Sequence, residues 1–110
     1  MSKLAEEVKD FLKGLFPHYI ISEEHFVKYN GHKLFFDFYI KELDLLIEVQ
    51  GRQHDEFVAH FHGDREGYFL SKRRDNAKKA YCQEHGLKLV EIRDKSELNK
   101  KKFIKRALQS

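Results

Sequence analysis

Apolar positions along this chain change period several times, and each change marks an element. Over residues 2–16 (SKLAEEVKDFLKGLF), Leu4, Val8, Phe11, Leu12 and Leu15 recur at the spacing of an amphipathic helix. Gly14 and Pro17 predict its end. Residues 19–29 (YIISEEHFVKY) are rich in aromatic and β-branched side chains and run into Asn30-Gly31, a strong hairpin signal. The returning strand is KLFFDFYI (33–40), followed by a short KELD turn. LLIEVQG (45–51) is then almost continuously aliphatic, as in a strand buried on both faces. Three strands joined by such short turns predict an antiparallel meander.

The period then lengthens again. Residues 64–85 space Tyr68, Phe69, Ala77, Ala80 and Tyr81 as a long helix does, and Gly86 is a natural stop. LKLVEIR (87–93) alternates as a strand. DKSELNKKKFIKRAL predicts a last helix over about 95–108, with Asp94 and Glu97 in a capping-box relation. Only FVAHFHG (57–63) fits no period. The order is helix, three strands, helix, strand, helix, without a repeat or a linker.

Composition narrows the class. The length of 110 residues predicts one domain, large enough to hide roughly two-thirds of its unfolded surface. The single cysteine, Cys82, has no internal disulfide partner, which favours a reducing cytoplasm and a helix-face filler over a reactive thiol. No apolar run approaches about 18 residues and no signal-peptide core is present, so a soluble, unsecreted protein without a membrane role is expected. Twenty-one Lys+Arg against eighteen Asp+Glu give only +3, so placement matters more than the total. The stretch SKRRDNAKK (71–79) carries five cations to one anion, and NKKKFIKR (99–106) carries five with none. A solvated face is the plain account of the second cluster.

The chemistry lies in two strand carboxylates. Asp37 interrupts FFDFY and Glu48 interrupts LIEVQ. A buried, ionised carboxylate costs several kcal/mol, so each must be paired or ligated. The KELD turn makes their strands antiparallel neighbours, and two carboxylates on one face could share a divalent cation. Oxygen ligation of that kind suits Mg²⁺ or Mn²⁺, which keep several waters and borrow oxygens from phosphate. Gln50 is two residues beyond Glu48 and projects to the same side. Gln53 offers an amide, and His54 an imidazole titrating near neutrality, suited to acid–base work. Arg52 is the best single candidate for a phosphate contact. In the long helix Arg74 and Lys78 lie four apart, flanked by Lys72, Arg73 and Lys79, as a stripe for a nucleic-acid backbone. Asp75 would steady one of these cations. The competing account is a solvated helix face.

The order FFDFYI, LLIEVQGRQH, HFHG and RRDNAKKAYCQEHGLKLVEI, with ten residues between Asp37 and Glu48, resembles the PD-(D/E)XK nuclease superfamily. The likeness covers about residues 2–93 and is nearest the small phage and bacterial branch akin to very-short-patch-repair and homing-type endonucleases. It implies a restriction-endonuclease-like α/β fold with an αβββαβ core, a mixed sheet flanked by helices. It also implies Asp37, Glu48 and the Val49 carbonyl as metal ligands. An N-terminal helix acid is implied too: Glu6 and Glu7 are candidates, with Glu24 on the first strand as a substitute. Gln50 stands where the broad superfamily has lysine, so His54 would take the acid–base role, as in the repair branch.

The expectation is a Mg²⁺- or Mn²⁺-dependent DNA endonuclease in the cytoplasm of a bacterial or phage-infected cell. His62 would sit on the active-site rim. A zinc site from His54, His60, His62 and Asp64 is the rival for the histidines. The rival function is a nuclease-derived module that grips nucleic acid or protein without cutting; RNA cleavage is a further alternative. No separate reading module is present, so target choice would fall to loops, DNA shape, a homodimer or a recruiting protein.

Overall fold

The computed structural model of the chain describes residues 2–50 and 65–108. Helix α1 (Lys3–Leu15) starts at Ser2, whose hydroxyl accepts from the Ala5 N–H at 3.1 Å. It ends where the Phe16 N–H donates to the Leu12 carbonyl. Strands β1 (Ser22–Tyr29) and β2 (His32–Ile40) form a hairpin through Asn30 and Gly31, with φ of 47° and 81°. Two left-handed residues give the turn the twist its strands need, and this is why Asn-Gly serves there. A 3₁₀ turn (Lys41–Leu43) and left-handed Asp44 lead into β3 (Leu45–Val49).

Helix α2 (Arg65–Glu84) stops at Gly86, at φ 66°, and the Leu87 N–H closes it on the Cys82 carbonyl. Strand β4 (Lys88–Ile92) follows, and helix α3 (Lys100–Leu108) closes the fold. The sheet order is β1-β2-β3-β4, antiparallel through the meander and parallel between β3 and β4. The expected α/β class and mixed sheet are therefore present.

Two boundaries move. The first strand starts at Ser22, not Tyr19. The predicted last helix divides: Asp94 and Glu97 do form a capping box, but it closes a separate 3₁₀ turn (Lys95–Glu97). Helix α3 begins only at Lys100, with the Asn99 side chain accepting from the Lys102 N–H. An N-cap signal marks the start of any helical turn, however short, so the sequence alone did not separate the two.

Each face of the sheet has its own core. On one side Val8, Leu12 and Phe16 of α1, with Phe103 and Ala107 of α3, meet Phe38, Ile40, Leu45, Ile47, Val90 and Ile92. On the other, Cys82, Ala77 and Tyr81 of α2 meet Leu34, Phe36, Leu46 and Leu89. Strict alternation would send Leu34, Phe36, Phe38 and Ile40 to the same side. They divide two and two, so the phase of β2 slips by one residue at Asp37. That slip frames the candidate site.

Phe103 is fully buried, edge-on to Phe11 with ring centroids 5.4 Å apart and tilted against Phe16. Phe103→Ala should cost about 3–5 kcal/mol in urea unfolding, the usual range for a core phenylalanine. A loss under about 1 kcal/mol would show that α3 lies outside the cooperative unit.

Candidate functional site

Four acidic residues fall on one row across the sheet. Glu23 pairs with Phe38 and His25 with Phe36, so Glu24 lies opposite Asp37. Phe38 pairs with Ile47, which puts Asp37 opposite Glu48; Glu48 in turn pairs with Glu91 of β4. Like charges directly opposite one another destabilise a sheet, so such a row needs cations. Two members have them. The Lys78 ammonium of α2 lies 2.7 Å from Glu48 Oε2, with both side chains largely buried. Arg93 lies 3.7 Å from Glu91. Among the described residues, Glu24 and Asp37 have no ion-pair partner.

The strands part at this row. The β2–β3 pairing reaches no further than Phe38–Ile47, and side chains take over the backbone groups beyond it. Asp37 Oδ2 accepts from the Val49 N–H at 2.7 Å, while Glu48 Oε1 accepts from the Asp37 N–H at 3.2 Å. Each carboxylate thus caps an amide of the opposite strand, which satisfies groups that would otherwise be orphaned. Strand alternation turns Glu48 toward α2, whereas Asp37 lines a cleft on the α1 side, so the two carboxylates do not share one face as the sequence suggested; the phase slip of β2 at Asp37 separates them.

That cleft holds about 130 Å³ and is lined by Ser2, Ala5, Glu24, Asp37, Phe38 and Val49. Glu24 reaches it from a left-handed backbone, φ 51°, which costs a residue with a Cβ about 1–2 kcal/mol. Ala5 of α1 and its capping residue Ser2 line the cleft; Glu6 and Glu7 are not among its lining residues. Of the acids the sequence offered as a third ligand, Glu24 is the one placed beside Asp37.

Burial pushes the Glu48 carboxyl above the usual carboxylate range, and the negative Asp37 pushes the same way. The hydrogen bond and charge of Lys78 oppose them. The same ammonium lies 5.4 Å from the centre of the Phe36 ring, a cation–π contact. Lys78 is therefore not the phosphate grip that its sequence neighbours suggested. Its pairing with Glu48 spans 30 residues and leaves no local pattern. One signal was available: Lys78 precedes buried Cys82 by one helical turn and so shares its inward stripe.

The other candidates sort by exposure. Lys72, Arg73, Arg74 and Lys79 are solvent-exposed on α2, as a backbone-binding stripe requires. Gln50 is buried, and its N–H donates to the Ile92 carbonyl at 2.7 Å. Cys82 is buried with its thiol pushed up to about 11 by desolvation, which keeps it neutral. Arg52, Gln53, His54 and His62, and with them the zinc alternative using His60 and Asp64, lie outside the described residues. Among the described residues no three His, Cys, Asp or Glu side chains are grouped to hold a metal.

Relatives of this chain come from viruses. It is 46% identical over 63 residues to an uncharacterized protein, 094L, of Frog virus 3 (isolate Goorha), covering 56% of this chain and 41% of that protein. It is 34% identical over 64 residues to the uncharacterized protein 307L of Invertebrate iridescent virus 6, covering 57% of this chain and 32% of that one. A similar match, 32% identical over 62 residues, is to the uncharacterized protein 033L of Invertebrate iridescent virus 3. The chain spans less than half the length of each of these relatives. No family model and no solved structure matches it.

Proposed function

We propose that this chain is a divalent-metal-dependent DNA endonuclease built on the Glu24–Asp37 cleft. The observation that carries this is the uneven distribution of cations along the acidic row. Glu48 and Glu91 have basic partners, and the Asp37–Glu24 cleft has none among the described residues. A cation from solution would relieve that repulsion.

The donors fit a hard ion. Asp37, Glu24 and the Val49 carbonyl offer oxygen at the cleft, with Glu48 adjacent across the strand gap. Mg²⁺ and Mn²⁺ take one or two carboxylates plus water and phosphate, so they need no cluster of three side chains. When bound, such an ion supplies Lewis-acid chemistry to a phosphodiester by neutralising charge on its oxygens. Asp37 is held for that task by the Val49 N–H, which engages Oδ2 only. Lys78 brings to Glu48 the cation that Gln50 cannot supply, from a helix and not from the strand. Lys72, Arg73 and Arg74 hold the DNA backbone, joined by Arg52 and His62.

The Lys78–Glu48 bond also favours a second reading, a nuclease-derived module that binds without cutting, because Glu48 is already neutralised. Calorimetric titration with Mn²⁺, run beside cleavage of supercoiled plasmid, separates the two. The endonuclease takes up Mn²⁺ and nicks or linearises the plasmid; a module that binds plasmid yet ignores Mn²⁺ removes the enzyme. No described helix is long and apolar enough to cross a membrane. We place the activity in the cytoplasm of an infected cell, which accords with the viral sources of the relatives.

A further inference from the structure

One face of the β1–β2 hairpin has no cover from any described element. Val27 and Tyr29 of β1, with Leu34 and Phe36 of β2, turn toward α2. Alternation therefore puts Phe26 and Lys28 on the opposite side, together with Lys33 and Phe35. Helices α1 and α3 cover that side only from Phe38 and Ile40 onward, so the phase slip at Asp37 is what leaves the hairpin open. The register sets Phe26 directly against Phe35, and Lys28 directly against Lys33. The two rings are 44% and 57% exposed, 5.0 Å apart and inclined by 43°.

Both pairings are poor choices for folding alone. Exposed phenylalanines forgo burial, and like charges directly opposite repel. Neither lysine has an ion-pair partner among the described residues. Adjacent violations of local preference on one face are the pattern of a surface kept for a ligand. The ligand must offer flat apolar faces and negative charge together. A second copy of this chain would bring two more lysines against the first two, which argues against self-association through this face.

We propose that this face seats an unpaired DNA strand and leads it to the Glu24–Asp37 cleft. Bases stack on Phe26 and Phe35, and phosphates lie against Lys28 and Lys33. Along the strands each two-residue step is about 7 Å, so the rings lie one step and the lysines two steps from the Glu24–Asp37 row. Bases of an intact duplex are stacked and paired internally, whereas an unpaired strand can present them to aromatic rings. The proposal rests on the endonuclease reading for what happens at the cleft and names its substrate: DNA with a single-stranded or frayed segment.

The test is fluorescence anisotropy in EDTA with a labelled oligothymidine of about 15 nucleotides and a duplex of equal length. Wild-type protein should bind the single strand at least about 10-fold more tightly than the duplex. Phe26→Ala/Phe35→Ala should weaken single-strand binding by about 10- to 100-fold with an unchanged melting temperature, and Phe26→Trp/Phe35→Trp should restore it. Lys28→Ala/Lys33→Ala should flatten the log–log salt dependence by about 1.4, two phosphate contacts at about 0.7 each. Equal binding of duplex overturns the proposal. So does an alanine pair that binds the single strand normally, or one that alters only the oligomeric state in sedimentation. Because no metal is present, absence of Mn²⁺-dependent cutting would count against the endonuclease alone. Duplex cutting retained by an alanine pair with normal single-strand affinity would count against this face alone.

Discussion

Asp37→Asn is expected to lower metal-dependent plasmid cleavage by roughly 10³-fold or more while the protein stays folded. Asparagine can still accept the Val49 N–H through its side-chain oxygen, so the bond that closes the strand gap survives. What disappears is the negative charge that Asp37 contributes opposite both Glu24 and Glu48. Removing like-charge repulsion should leave urea stability unchanged or slightly raised. Glu24→Gln at the same cleft should show a smaller loss, about 10- to 100-fold, because the other oxygen donors remain. Cleavage by Asp37→Asn within about 10-fold of wild type would take Asp37 out of the chemistry.

The second large effect is on stability. Lys78→Met should destabilise the fold by about 3–5 kcal/mol at pH 7.5, the usual cost of stranding one member of a buried ion pair. Glu48 would lose its counter-charge while still screened from water at 7% exposure. The pH dependence follows from the direction of the Glu48 shift. Its folded pKa lies above the unfolded value, mainly through burial, and Lys78 holds it down. The stability that neutral Glu48 lends is full below the ordinary carboxylate value and lost as pH rises through the folded pKa. Losing Lys78 raises that folded pKa further. The variant's deficit should therefore shrink as pH falls from 7.5 toward about 4.5. Glu48→Gln in the Lys78→Met background should recover most of the loss at neutral pH, since no charge is then stranded. Urea unfolding of wild type, Lys78→Met, Glu48→Gln and the double variant at two pH values is the measurement. A deficit that is independent of pH and untouched by Glu48→Gln would mean that Lys78 acts through packing on Phe36.

Much of the fold was legible because the signals are local. Heptad-like spacing in residues 2–16, Asn30-Gly31, and the Gly86 stop each act within a few residues, and each appears where the chain suggested. The division of the last helix is hidden for the same reason: a capping box is local and does not tell a single 3₁₀ turn from a helix. Asp37 and Glu48 stood out because burying a carboxylate among Phe, Leu and Ile demands an explanation. Their antiparallel adjacency followed from the short KELD turn.

The partner of Glu48 was not legible in that way. Lys78 looked like one cation among several on a helix, and only the packing of α2 on the sheet turned it inward while Arg74 stayed in water. The choice of Glu24 over Glu6 and Glu7 depended likewise on which face of α1 meets the strand gap.

By itself the sequence determined the order of helices and strands, the hairpin register through its turn, and the two strand acids that call for a counter-charge. Tertiary structure alone decided where that charge comes from, which third acid stands at the cleft, and that β2 changes phase at Asp37 to leave Phe26 and Phe35 exposed. The reason is range. Periodicity and capping act along the chain over a few residues, whereas the pairing of charges depends on distances through space that form only when α2 docks on the sheet.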